Sequence, residues 1–113
     1  ATKAFLKENI PFDVLMCLND PSALGGMAAL EEMNQLDGKY VYGIDGTPEA
    51  KQLVEEGRMR ATVAQSPKTM GQKAAKAIYC LLDHKKIAPR VEVLPVQKIT
   101  KDNVSAYLSE EWQ

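Results

Sequence analysis

Residues 40–50 read YVYGIDGTPEA. The apolar run 39–44 breaks off at Asp45-Gly46, and Thr47-Pro48-Glu49 follows at once. Thr47 or Gly46 suits a helix N-cap, and proline suits the first helical turn. The helix is expected to run to about Glu56, with Gly57 as its stop. A strand that turns straight into a helix is the opening of a strand–helix–strand unit. The aspartate at the corner has two readings: it caps or shapes the turn, or it is offered to something that is not protein.

Working outward, the same pattern recurs on both sides. FDVLMCL, 12–18, has the continuous apolar character of a strand buried on both faces. It ends in Asn19-Asp20-Pro21-Ser22, where Asp20 can accept from free amides of a first helical turn and Pro21 fits that turn. The helix that follows is expected over 21–36, with Ala23, Leu24, Met27, Ala28, Leu30 and Met33 as its apolar stripe and Asp37-Gly38 beyond its end. Gly25-Gly26 would weaken an exposed helix by roughly 1 kcal/mol each, so they point to a close approach to a sheet or a second helix. MRATVAQ, 59–65, reads as a third strand with Met59, Ala61 and Val63 on one side. Ser66-Pro67 opens a helix over 67–83, with Met70, Ala74, Ala77, Ile78, Leu81 and Leu82 inward. VEVLPVQKIT, 91–100, is extended, and Pro95 assigns part of it to a sheet edge. A short helix is expected over 102–111, with Trp112 as an anchor or a loose end. Residues 3–9 form a first helix, stopped by Pro11. This alternation predicts an α/β fold, a parallel sheet with flanking helices and right-handed crossovers.

The chain has 113 residues, a net charge of −1 and a pI near 5.8. That is enough for one hydrophobic core, although ATKAFLKENI reads as the last turns of a helix with no strand before it, as in a piece of a larger fold. Lys85-Lys86 and the lysines at 98 and 101 are too few for a phosphate-tracking surface, so no nucleic-acid contact is expected. No apolar run nears the roughly 20 residues that span a bilayer. Cys17 and Cys80, the two cysteines, sit in apolar segments and read as small hydrophobes, with a disulfide between them left open.

In open parallel sheets ligands bind beyond the carboxyl ends of the strands. Three polar residues fall there: Asn19 after VLMCL, Asp45 after YVYGI and Gln65 after MRATVA. Each has a plainer reading as a turn or cap residue. Recurring at three successive strand ends, they read better as a shared set of an amide, a carboxylate and an amide. Such a set donates to and accepts from hydroxyls and suits a neutral polyol or sugar. With no Arg or Lys among them it would hold a phosphate poorly.

Catalytic readings are weaker. His84, the sole histidine, lies in DHKK at a helix end. Ser22, Ser66 and Ser105 have no histidine–carboxylate partnership, and neither G-x-S-x-G nor a glycine-rich phosphate loop occurs. No metal set is evident, and neither an enzyme nor a cofactor is expected.

NDPSALGGMAALEE (19–32), GIDGTPEAKQLVEEG (43–57), ATVAQSPKTMGQKAAKA (61–77) and ITKDNV (99–104), taken in order, resemble the C-terminal part of type I periplasmic sugar-binding proteins, the ribose- and galactose-type solute-binding components of ABC importers. The resemblance covers nearly the whole chain. It implies two α/β lobes joined by three crossover strands, a monosaccharide held between them without chemical change, and closure by a hinge. In ribose-type members an asparagine of the ND motif, an aspartate of the DG motif and a glutamine of the ATxAQ motif bind the sugar, and these match Asn19, Asp45 and Gln65. It further implies that 1–65 belong to the C-terminal lobe, 66–94 form a crossover and a helix packing on the N-terminal lobe, and 95–113 return. The expected partners are a monosaccharide, an ABC permease, and the N-terminal portion of the same protein or a second copy. The expected location is periplasmic or extracellular, with a membrane anchor in the N-terminal part as a further possibility. The stacking aromatics and arginines of the family have no place here; Phe12 and Tyr42 read as packing residues. The runner-up is the effector-sensing domain of a lactose-repressor-type regulator, whose second motif usually resembles FDD rather than IDGTPEA.

Overall fold

The computed structural model describes residues 2–87, 89 and 91–107. Four strands form one sheet: β1 (Val14–Met16), β2 (Tyr40–Asp45), β3 (Ala61–Ala64) and β4 (Gln97–Thr100), in that spatial order. β1, β2 and β3 are parallel. β4 runs antiparallel to β3, with Ala64 facing Gln97 and Ala61 facing Thr100. The parallel expectation therefore holds for three strands and fails for the fourth. The reason lies in α4 (Pro67–Leu82), which carries no buried residue and does not lie back along the sheet as a crossover helix would. β4 begins beside the end of β3, Gln97 against Ala64, and so runs back in the reverse direction. β4 is an edge strand, and Pro95 falls just before it.

Three further helices complete the body: α1 (Thr2–Leu6), α2 (Asp20–Glu32) and α3 (Pro48–Glu55). Consecutive strand order with right-handed crossovers puts α2 and α3 on one face of the sheet. Val41, Thr62 and Ile99, from three neighbouring strands, are fully buried. With them pack Ala23, Met27 and Leu30 of α2, Val54 of α3, and Met59 and Val104. Ala29 is buried where Ala28 was expected; Ala28 is exposed. Gly26 explains one of the paired glycines, since a Cβ there would lie 2.6 Å from Leu15 Cδ2, whereas Gly25 has nothing within 4 Å. On the alternate positions of the strands Val14, Met16 and Tyr40 are exposed.

The helix ends show where local chemistry departs from the simplest reading. α3 stops at left-handed Gly57, whose N–H donates to Val54 while Arg58 N–H donates to Leu53, a Schellman closure. α2 ends four residues before its expected limit because Asn34 takes the same left-handed role at φ 54, with Gln35 N–H returning to Leu30. His84, at φ 56, does likewise for α4. Of the helix expected over 102–111, a 3₁₀ turn at Val104–Ala106 is present; residues 108–113, Trp112 among them, lie outside the described residues.

α4 and the segment after it stand away from the body. The radius of gyration is 18.1 Å and the extents are 59 × 31 × 18 Å, against about 13 Å for a compact domain of this length. The six residues expected inward on α4 are not buried in this chain, and Ile78, Leu81 and Leu82 are largely exposed.

Candidate functional site

The carboxyl ends of β1, β2 and β3 lie side by side. Val14 pairs with Tyr40 and Met16 with Tyr42; the same offset carried forward sets Asn19 level with Asp45. Asp45 itself pairs with Ala64, the residue before Gln65. Asn19, Asp45 and Gln65 thus occupy one rim on three adjacent strand ends. Asn19 and Asp45 are half-buried and Gln65 is exposed.

Asp45 and Gln65 meet directly: Gln65 Nε2 donates to Asp45 Oδ1 at 2.9 Å. That bond orients the carboxylate and leaves its second oxygen, and the Gln65 carbonyl oxygen, for a ligand. Asp45 has φ 126, a backbone region that favours glycine. It does not cap α3. Thr47 does so, its Oγ1 accepting from Ala50 N–H at 3.2 Å.

Asn19 has a structural task as well. It is the N-cap of α2, its Oδ1 accepting from Ser22 N–H at 2.9 Å. Its Nδ2 donors are the part available to a ligand. The side chain makes no bond to Asp45 or Gln65 among the described residues.

Sequence reasoning assigned the first-turn amides of α2 to Asp20, and that is corrected. Asp20 is fully buried. Its Oδ2 accepts from Thr47 N–H at 2.8 Å and its Oδ1 from the Thr62 hydroxyl at 2.7 Å. Thr62 Oγ1 in turn accepts from Gly46 N–H at 3.2 Å. Gly43 makes room for the carboxylate, since a Cβ there would lie 2.1 Å from Asp20 Oδ1. Burial pushes the Asp20 carboxyl above its ordinary range, and the Asp45 charge adds to this. The Thr47 and Thr62 hydrogen bonds pull the other way without cancelling it. The available signal was a hydroxyl, Thr62, inside the otherwise apolar strand ATVA.

Lys51 was also missed. It sits fully buried on α3, and desolvation lowers its pKa. The aromatics behave as packing groups. Phe12 meets Phe5 edge-on, with centroids 5.6 Å apart, below Lys39 Nζ at 4.4 Å from its ring. It precedes β1, at the end of the sheet away from the rim. Tyr42 lies in mid-strand, half-buried. Cys17 and Cys80 are free thiols, each half-buried.

Residues 1–86 match the family model described as a periplasmic binding protein domain. The chain is 34% identical over 93 residues to the D-allose-binding periplasmic protein of Escherichia coli K12, covering 82% of this chain and 28% of that protein. It is 35% identical over 75 residues to the ribose import binding protein RbsB of the same organism, covering 66% of this chain and 25% of that protein. A solute-binding protein of an ABC transporter from Bacillus halodurans C-125, solved with bound myo-inositol, superposes with a TM-score of 0.83 at 30% identity over 97% of this chain and 38% of that one. A periplasmic solute-binding protein from Actinobacillus succinogenes 130z, solved with bound D-allose, gives 0.85 at 26% identity over 94% and 37%. The chain therefore spans roughly a quarter to two-fifths of the length of these proteins. With the family model covering residues 1–86, and with a fold shared by solute-binding proteins of ABC transporters, this chain belongs to the periplasmic binding protein domain family.

Proposed function

We propose that this chain forms one wall of a monosaccharide site in the solute-binding component of an ABC importer, and that Asn19, Asp45 and Gln65 are its hydroxyl-reading groups. The observation that carries the reading is the Gln65–Asp45 hydrogen bond at the rim, made by an aspartate held at φ 126. A carboxylate fixed in this way accepts charge-assisted hydrogen bonds from sugar hydroxyls, while the Asn19 amide donates. The sugar leaves chemically unchanged. The allose and ribose proteins among its relatives support import over an effector-sensing role in a lactose-repressor-type regulator.

The remainder of the site belongs to a second wall. Residues 1–65 are the C-terminal lobe portion, 66–94 a crossover and helix that pack on the N-terminal lobe, and 95–113 the return crossover. The N-terminal portion of the same protein, or a second copy, completes the cleft. Sugar binding then stabilises a closed arrangement of the two lobes, and an ABC permease receives the loaded protein. The site of action is periplasmic or extracellular.

Calorimetric titration of the protein with both lobes present, against a panel of pentoses and hexoses, tests this. Saturable binding of at least one sugar is expected, weakened by Asp45→Asn. Binding of none overturns the reading.

A further inference from the structure

We infer that Asp20 and Thr62, both sealed from solvent, are positioning residues for this site: a buried carboxylate–hydroxyl pair that locks the Asp45 corner in the conformation that presents its side chain. The inference rests on the sugar-site reading of Asn19, Asp45 and Gln65.

Asp45 is followed by two backbone amides, and each is held from below. Gly46 N–H is bound by Thr62 Oγ1 and Thr47 N–H by Asp20 Oδ2. The two acceptors are bonded to each other, Thr62 Oγ1 to Asp20 Oδ1. Asp20 is not needed as a cap, because Asn19 already caps α2. Its printed bonds instead lead to the Asp45 corner and to β3, the strand that ends at Gln65. One buried carboxylate thus joins the three strand ends: it follows Asn19 in sequence, grips the turn after Asp45, and ties to the strand before Gln65. Gly43 and left-handed Gly46 keep the space clear; a Cβ at Gly46 would come within 2.5 Å of Ala64 Cβ.

The test is a mutant cycle read by sugar titration of the two-lobed protein. Thr62→Val removes the hydroxyl, Thr62→Ser keeps it, and each is measured with Asp45 intact and as Asp45→Asn. With Asp45 intact, Thr62→Val is expected to weaken sugar binding by about tenfold, the scale of one hydrogen bond. Thr62→Ser, which keeps the hydroxyl, is expected to hold affinity within about twofold of the wild type. In the Asp45→Asn background Thr62→Val adds little, because coupled residues are not additive. If Thr62→Val fails to fold, Asp20→Asn carries the same expectation. Undiminished affinity in folded Thr62→Val protein, or an equal further loss in both backgrounds, overturns the positioning role and leaves the sugar reading standing. A wild-type protein that binds no sugar refutes the sugar reading itself.

Discussion

Asp45 combines a half-buried rim side chain, proposed to read sugar hydroxyls, with a backbone that glycine would adopt more easily. A non-glycine residue at φ 126 carries strain of about 1–3 kcal/mol. Asp45→Gly should therefore raise the unfolding free energy by about 1 kcal/mol after the lost Gln65 bond is counted, while sugar affinity falls. Asp45→Asn keeps the shape and is expected to weaken sugar binding by about 1–3 kcal/mol with stability within about 0.5 kcal/mol. Urea denaturation and titration of the same samples separate the two effects. A drop in stability with unchanged affinity would make Asp45 a structural residue. Asp20 gives a pH prediction of the opposite sign to that of an ordinary ion-paired carboxylate. Its folded pKa lies above the ordinary 3.8, so as pH rises past that value the unfolded chain loses its proton first. Its contribution to stability is most favourable below the unfolded pKa and declines through the window up to the folded one. Compared with Asp20→Asn across that window, the wild type should lose ground as pH rises; a gain would contradict the burial-driven shift.

At the scale of elements, the strand-to-helix corners carry both the fold and the rim. Gly25 and Gly46 show how differently two glycines are used. Gly25 lies exposed on α2 with open space around it, so Gly25→Ala should stabilise by about 0.5–1 kcal/mol. Gly46 is left-handed and wedged against the backbone of Ala64, so Gly46→Ala should destabilise by about 2 kcal/mol or more. Chemical denaturation of both variants checks the contrast, and equal effects would mean the Gly46 corner can relax. The corners were legible because their signals are local: an apolar run, a polar residue, then aspartate, threonine or serine directly before proline. Gly57 as a helix stop was legible for the same reason, whereas Asn34 and His84 were not, since nothing beside them marks a left-handed residue. The direction of β4 was hidden because a period-two pattern is the same read from either end. The three rim residues could be chosen from strand ends alone. The role of Asp20 could not, because it is set by a contact with Thr62, distant in sequence and close only after three strands have paired.

At the scale of the molecule, the chain divides into a packed body and an arm. Ile78, Leu81 and Leu82 on α4, with Val91 and Val93 on the returning segment, are exposed. Lys73 of α4 pairs with Glu92, which ties that segment to the helix. An apolar surface of this kind on an extended arm fits the proposal that α4 packs on the N-terminal lobe. If so, its side chains contribute to association and not to the stability of the body. Ile78→Ser combined with Leu82→Ser should change the unfolding free energy of the chain by no more than about 0.5 kcal/mol, as for other surface sites. The same pair should weaken association with the N-terminal portion by about tenfold or more, because buried aliphatic contacts are lost there. Urea denaturation of the chain and analytical ultracentrifugation of the mixed portions read the two quantities separately. A loss of more than about 2 kcal/mol in the chain alone would mean that α4 packs against its own sheet. Undiminished association would mean that this face is not what joins the lobes. The Lys73–Glu92 pair should matter little by either measure, since exposed ion pairs contribute about 0–1 kcal/mol, which leaves the apolar side chains as the deciding groups.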